Sequence, residues 1–135
     1  MLGWVGDIEG LTLDNTTFRT VLFTGEHSQL TVMSIAPGDD IGKEVHPGHD
    51  QFIRIETGSA RVEFGTTEDR VDETHDVGND WAVIIPAGVW HNVVNTGEGD
   101  LKLYSLYAPP QHPPDTVHRT KADADAAERE EHGRN

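Results

Sequence analysis

Apolar residues fall along this chain in short runs, each closed by Gly, Pro, Asn or Asp, and within most runs apolar and polar positions alternate. A period of two is that of half-buried strands, and many short strands separated by turn residues read as an all-β barrel or sandwich. The pattern predicts strands over Phe18–Phe23, Gln29–Ile35, Gln51–Glu56, Ala60–Phe64, Ala82–Ile85, His91–Val94 and Leu101–Tyr107. Shorter extended pieces are expected near Leu11–Leu13, Glu44–His46 and Glu73–Val77. Turn chemistry separates them at Pro37-Gly38-Asp39-Asp40, Thr57-Gly58-Ser59, Gly78-Asn79-Asp80 and from Asn95 to Asp100.

The character changes after Tyr107. The segment from Ala108 to Pro114 holds four prolines and must be extended, since proline lacks the donor and the freedom a helix needs. Thr120 to Glu131 then reads as a short surface helix capped by Thr120 or its neighbour, with alanine as its apolar residue throughout. Residues 1–118 are therefore expected to form the barrel domain with its Pro-rich arm, and 119–135 a polar C-terminal tail.

At 135 residues and 14.9 kDa the chain suits one domain with one core. Its 24 Asp and Glu against 10 Lys and Arg, a formal −14, argue against nucleic acid and anionic membrane as partners. No stretch is apolar enough to span a bilayer, no leader is apparent, and the absence of cysteine suits a reducing cytoplasm. Three Lys against seven Arg resembles the composition of halophilic proteins, with an ordinary acidic bacterial protein as the equal alternative.

Eight histidines exceed what a core needs. Glu44 and His46, two apart, share one face of an extended segment. Gln51 opens the next strand and shares a face with Ile53 and Ile55, while His91, Val93 and Asn95 alternate onto one face after the tight Pro86-Ala87-Gly88 turn. If these faces point into a barrel, an acid, imidazoles and an amide converge on apolar walls. A divalent metal is an economical partner for such buried groups.

These segments resemble the two motifs of the cupin family. The chain carries Gly38-x5-Glu44-x-His46-x4-Gln51-x6-Gly58 and then Gly78-x7-Pro86-x-Gly88-x2-His91-x3-Asn95, with every spacing inside the family pattern. Leu103-Tyr104-x-x-Tyr107-Ala108-Pro109-Pro110 and Thr116-Val117-His118 are similar to the ends of small single-domain cupins. The resemblance implies an all-β, cupin-type double-stranded β-helix (a jelly-roll barrel) with a short C-terminal arm and helix. It also implies a homodimer, and a divalent metal held by Glu44, His46, Gln51 and His91. Glu44 stands where most metal-binding cupins have the first His, and Gln51 where they have Glu. The set keeps one carboxylate charge and trades an imidazole for an amide oxygen, which favours Fe, Mn, Ni or Zn over Cu(I).

The expected function is binding of that metal and a small organic ligand, as a metalloenzyme of dioxygenase or isomerase type; the alternative is a non-catalytic binding or sensing protein for a sugar or other small molecule. No separate general base stands out. His49 is expected to be a solvated loop residue, Lys43 to face solvent, and Asn95 to stabilise a strand or turn. Trp81 and Trp90 are expected on the exterior or at a dimer interface, and at most one of Tyr104 and Tyr107 in the pocket. The arm bearing His112 and His118 is expected on the surface, with closure over the barrel mouth or crossing to a partner as alternatives. His27, His75 and His132 are expected to be exposed.

Overall fold

The computed structural model describes residues 2–133, with side chains through Glu130; the expectation for the His132 side chain lies outside the described residues. Helix α1 (Ile8–Asp14) precedes eight strands, β1 (Arg19–Thr24), β2 (Gln29–Ile35), β3 (Asp50–Thr57), β4 (Ala60–Gly65), β5 (Glu73–Val77), β6 (Ala82–Ile85), β7 (Trp90–Asn95) and β8 (Leu101–Ala108). A two-residue strand β9 (Val117–His118) and helix α2 (Lys121–Gly133) complete it. Two antiparallel sheets face each other, one in the order β6-β3-β8-β2-β1-β9 and the other β5-β4-β7.

Alternation does what it predicts in the central strands. On β8, Leu101, Leu103, Ser105 and Tyr107 are buried while Leu106 and Ala108 are exposed. On β3, Gln51, Ile53 and Ile55 face inward. With Met33, Ile35, Val62, Val83, Ile85 and Val93 these apolar residues fill the space between the sheets, and their removal from water is the main driving force for closing the sandwich. Gly58 adopts φ +120°, and a Cβ there would stand 3.0 Å from the Leu101 side chain, so the β3–β4 turn requires glycine. Asn95 ties the layers together: its amide donates to the carbonyls of Ile35 and Gly99 at 2.8 and 2.9 Å and accepts from Gly97 N–H at 2.9 Å.

Two extended pieces are corrected. Leu11–Leu13 lies inside α1, because Asp7 caps the helix by accepting from Gly10 N–H and the buried Thr12 hydroxyl donates to the Ile8 carbonyl. The Leu-Thr-Leu alternation thus marks one buried helical position flanked by two exposed leucines. Glu44–His46 is not a strand but a single antiparallel bridge, Glu44 with His91, closed by reciprocal backbone bonds of 3.0 and 2.9 Å.

The C-terminal helix carries the expected cap, with Thr120 Oγ1 accepting from Asp123 N–H at 3.1 Å and Asp123 accepting from Thr120 N–H at 3.3 Å. It is also anchored more firmly than an alanine face suggests. Ala124 is buried in the core cluster, and Lys121 pairs with Asp40. None of the described helices is long and apolar enough to cross a membrane.

Candidate metal centre

The bridge between Glu44 and His91 brings the two cupin-like segments together at one end of the barrel. The Pro86–Gly88 turn, with Gly88 at φ +85° and its N–H donating to the His46 carbonyl at 3.0 Å, locks the loop to the start of β7. Glu44 Oε1 then lies 3.2 Å from His46 Nε2 and 3.5 Å from His91 Nε2. The three side chains form a group whose ligand atoms all lie within 4.8 Å of one another, and which could hold a metal ion.

Gln51 reaches the same region from the six-stranded sheet. It is buried, its Nε2 donates to Ser105 Oγ at 3.3 Å, and its cross-strand neighbour on β8 is Tyr107, whose ring meets that of His46 at 5.8 Å. The Ser105 contact fixes the amide so that the oxygen is the end left over.

Whether these residues suit a cation can be tested on their unmet needs. Glu44 Oε1, His46 Nε2, Gln51 Oε1 and His91 Nε2 are all buried without a hydrogen-bond partner. Buried polar atoms are ordinarily satisfied, so the unpartnered atoms of the Glu44, His46 and His91 group, with a further one on Gln51, suit a cation that would share their electron pairs. His91 Nδ1–H donates to the Val89 carbonyl at 2.9 Å, which fixes the tautomer and leaves Nε2 as the free donor atom. Burial would raise the Glu44 carboxyl, but the facing rings of His46 and His91 outweigh it and hold the group well below the usual carboxylate range. The carboxylate is therefore charged, as a ligand must be.

A cavity of about 310 Å³ opens beside this group, lined among others by Glu44, His46, Arg19, Trp90, His112 and His118. The Pro-rich arm closes part of it, which corrects the expectation of a surface arm. The buried Gln29 amide clamps the arm, with Oε1 accepting from Gln111 and His112 N–H at 3.1 and 2.9 Å and Nε2 donating to the His112 carbonyl at 2.7 Å. Beyond it, β9 pairs with β1, Arg19 opposite His118. The His112 ring packs edge-on against Tyr107 at 5.3 Å. Burial and the Arg19 charge push its pKa down to about 3, so the ring is neutral. Burial also pushes the Tyr107 phenol well above its usual range.

His49 is likewise corrected from a solvated residue: it is half-buried, its Nε2 donates to the Pro110 carbonyl at 3.1 Å, and its ring lies 5.9 Å from His46. The arm returning over the loop supplies that carbonyl. Trp81 is 54% exposed, as expected of an exterior residue, whereas Trp90 is half-buried on the cavity wall. Tyr107 is buried and Tyr104 is on the outer face, His27 and His75 are exposed, and Lys43 is exposed at the cavity's edge. Sequence reasoning did not single out Arg19 or Gln29. An arginine or an amide within a strand carries no motif, and only the return of the arm reveals what each faces.

The family model described as Cupin domain matches residues 31–107. YrkC of Bacillus subtilis (strain 168), an uncharacterised protein, is 54% identical over 125 residues, covering 93% of this chain and 67% of that one. A protein of Acanthamoeba polyphaga mimivirus is 40% identical over 115 residues, covering 84% of this chain and 70% of that one. The crystal structure of BH2720 from Bacillus halodurans superposes with a TM-score of 0.90 at 54% identity, covering 91% of this chain and 93% of that one.

Proposed function

The chain belongs to the cupin domain family, and from that premise we propose that it binds a divalent metal ion through Glu44, His46, Gln51 and His91 and a small organic ligand in the adjoining cavity, as a metalloenzyme of dioxygenase or isomerase type. The observation that carries this reading is the grouping of Glu44, His46 and His91, their ligand atoms all within 4.8 Å of one another and one such atom on each buried without a hydrogen-bond partner. Gln51 Oε1, also buried and unpartnered, is the fourth donor of the proposal. Bound there, the ion would supply Lewis-acid polarisation of a ligand's oxygens and, as iron, a centre for reaction with O2.

The chain's own residues do the rest. Val89 holds the His91 tautomer and Ser105 orients Gln51. The arm, pinned by Gln29, shields one side of the cavity from water and presents a neutral His112 that can donate or accept a hydrogen bond. The amide among the donors favours Fe, Mn, Ni or Zn over Cu(I).

The homodimer belongs to the same proposal. On the outer face of the large sheet Phe52 stands between its register partners Ile84, 67% exposed, and Leu106, 40% exposed, an apolar row suited to a second copy.

The test is metal content of the untagged protein after exposure to Fe(II), Mn(II), Ni(II) or Zn(II), alongside Glu44→Ala and His91→Ala. Near-stoichiometric metal in the wild type and loss in both variants is expected. Equally little metal in all three defeats the reading. Oxygen uptake with panels of diols, diketones and thiols then addresses turnover; firm ligand retention without turnover would favour a binding protein.

A further inference from the structure

We propose that the ligand of this cavity is a small carboxylate and that Arg19 is the residue that binds it. The proposal rests on the reading above only in taking the cavity as a ligand site.

Arg19 opens β1 facing inward and is 6% exposed, on the wall of the same cavity as Glu44, His46 and His112. A guanidinium is always charged, and taking it out of water is costly unless an anion compensates. No carboxylate among the described residues lies within ion-pair distance of it. Its polar contacts are Nη1 to His118 Nδ1 at 3.3 Å and a side-chain hydrogen bond with the Tyr107 phenol, its face stacks near Phe18 at 5.4 Å, and its buried Nε has no hydrogen-bond partner.

That absence is informative in this chain, which has 24 acidic side chains for 10 basic ones. Arg54, Arg61 and Arg70, all more exposed, each have a carboxylate partner. The most buried of these arginines is the one without. A guanidinium kept desolvated, with no carboxylate partner among the described residues and with Nε unpaired, fits a planar, monovalent oxyanion that arrives from outside.

The charges around the cavity select the class. Glu44, Glu68, Asp125 and Glu128 are on its walls, and Arg19 and Lys43 are its cationic residues. Because the walls carry more acidic than basic residues, they oppose a phosphate dianion more strongly than a single carboxylate, whose one charge the Arg19 guanidinium can match. Arg19 also connects to the donor group through packed rings: His118 lies 6.5 Å from His112, His112 5.3 Å from Tyr107, and Tyr107 5.8 Å from His46. A carboxylate at Arg19 therefore places the remainder of a small acid in the space that leads to Glu44, His46 and His91.

The test is calorimetric titration of glycolate, its neutral isostere glycolamide and inorganic phosphate into wild type, Arg19→Gln and Arg19→Lys. Each is measured both EDTA-treated and Zn(II)-loaded with free ion removed. Glycolate should bind the wild type in preference to glycolamide and phosphate. Arg19→Gln should weaken glycolate at least about tenfold in both forms, and Arg19→Lys should restore part of the loss. The Tm of Arg19→Gln should equal or exceed that of wild type, because a buried charge without a carboxylate partner is gone. No glycolate binding to the wild type, unchanged affinity in Arg19→Gln, or a lower Tm with unchanged affinity would each overturn the proposal. If no form takes up Zn(II), the metal reading fails by itself, and the EDTA-treated arm still decides the role of Arg19.

Discussion

Replacing Gln29 by alanine should open the arm while leaving the donor group whole. Gln29 is fully buried and makes four hydrogen bonds, three to the backbone of Gln111 and His112 and one from Nε2 to Thr24 Oγ1 at 2.9 Å. At about 0.5–1.5 kcal/mol net for each bond the loss is bracketed at about 2–6 kcal/mol. The lower half of that range applies, because the freed backbone groups of a released arm regain water. About 3 kcal/mol in a domain of this size lowers Tm by roughly 10 °C. A second readout is local. In the wild type the His112 ring is held near pKa 3 by burial and the Arg19 charge. Once released it should titrate near 6.5, which imidazole NMR resolves directly. Metal content should match the wild type, since the arm supplies none of the four donor atoms. A Tm within about 2 °C of wild type, with His112 still titrating far below 6, would refute the idea that Gln29 holds the arm closed.

Acid should open the same arm. His112 has a folded pKa depressed from 6.5 to about 3, so its contribution to stability is complete above pH 6.5 and is lost as pH falls toward 3, by at most about 1.4 kcal/mol per pH unit. Amide protection factors at residues 111–118, corrected for the intrinsic pH dependence of exchange, should fall between pH 6.5 and 5 and become less pH-dependent in His112→Gln; equal pH dependence in both proteins would count against it. The excess of 14 negative charges predicts a Tm that rises between 0.05 and about 1 M NaCl as screening shortens from beyond 10 Å to about 3 Å; a flat or falling Tm contradicts self-repulsion. Sedimentation should find a dimer that Ile84→Asp converts to monomer, and a wild-type monomer at 0.1 mM would remove the outer face as an interface.

How far the molecule was legible in its sequence depends on how far apart the deciding residues lie. β3 and β8 were legible because alternation and the turn at Gly58 are local facts, and the register of Gln51, Ile53 and Ile55 follows from them. His91 was legible for the same reason, since the Pro86–Gly88 turn fixes its face. Leu11–Leu13 misled because three alternating residues carry no period long enough to outweigh a helix cap at Asp7. The arm misled for a different reason. Its position is set by Gln29, more than eighty residues earlier, and by the pairing of Arg19 with His118 across β1 and β9.

That division has a consequence for how the site is built. The donor group comes from two short segments joined by one backbone bridge, Glu44 with His91, and each segment carries its own turn signals. The other side of the cavity comes from β1, the Gln29 clamp and the arm, where single substitutions at Arg19, Gln29 or His112 leave both motifs intact. In the function proposed above, metal binding and ligand choice are thus assigned to separable residues. A chain with the same Glu44, His46, Gln51 and His91 arrangement but a neutral residue at the position of Arg19 should hold the same ion with a different ligand beside it. Substituting Arg19 alone, within this fold, is the direct way to separate the two.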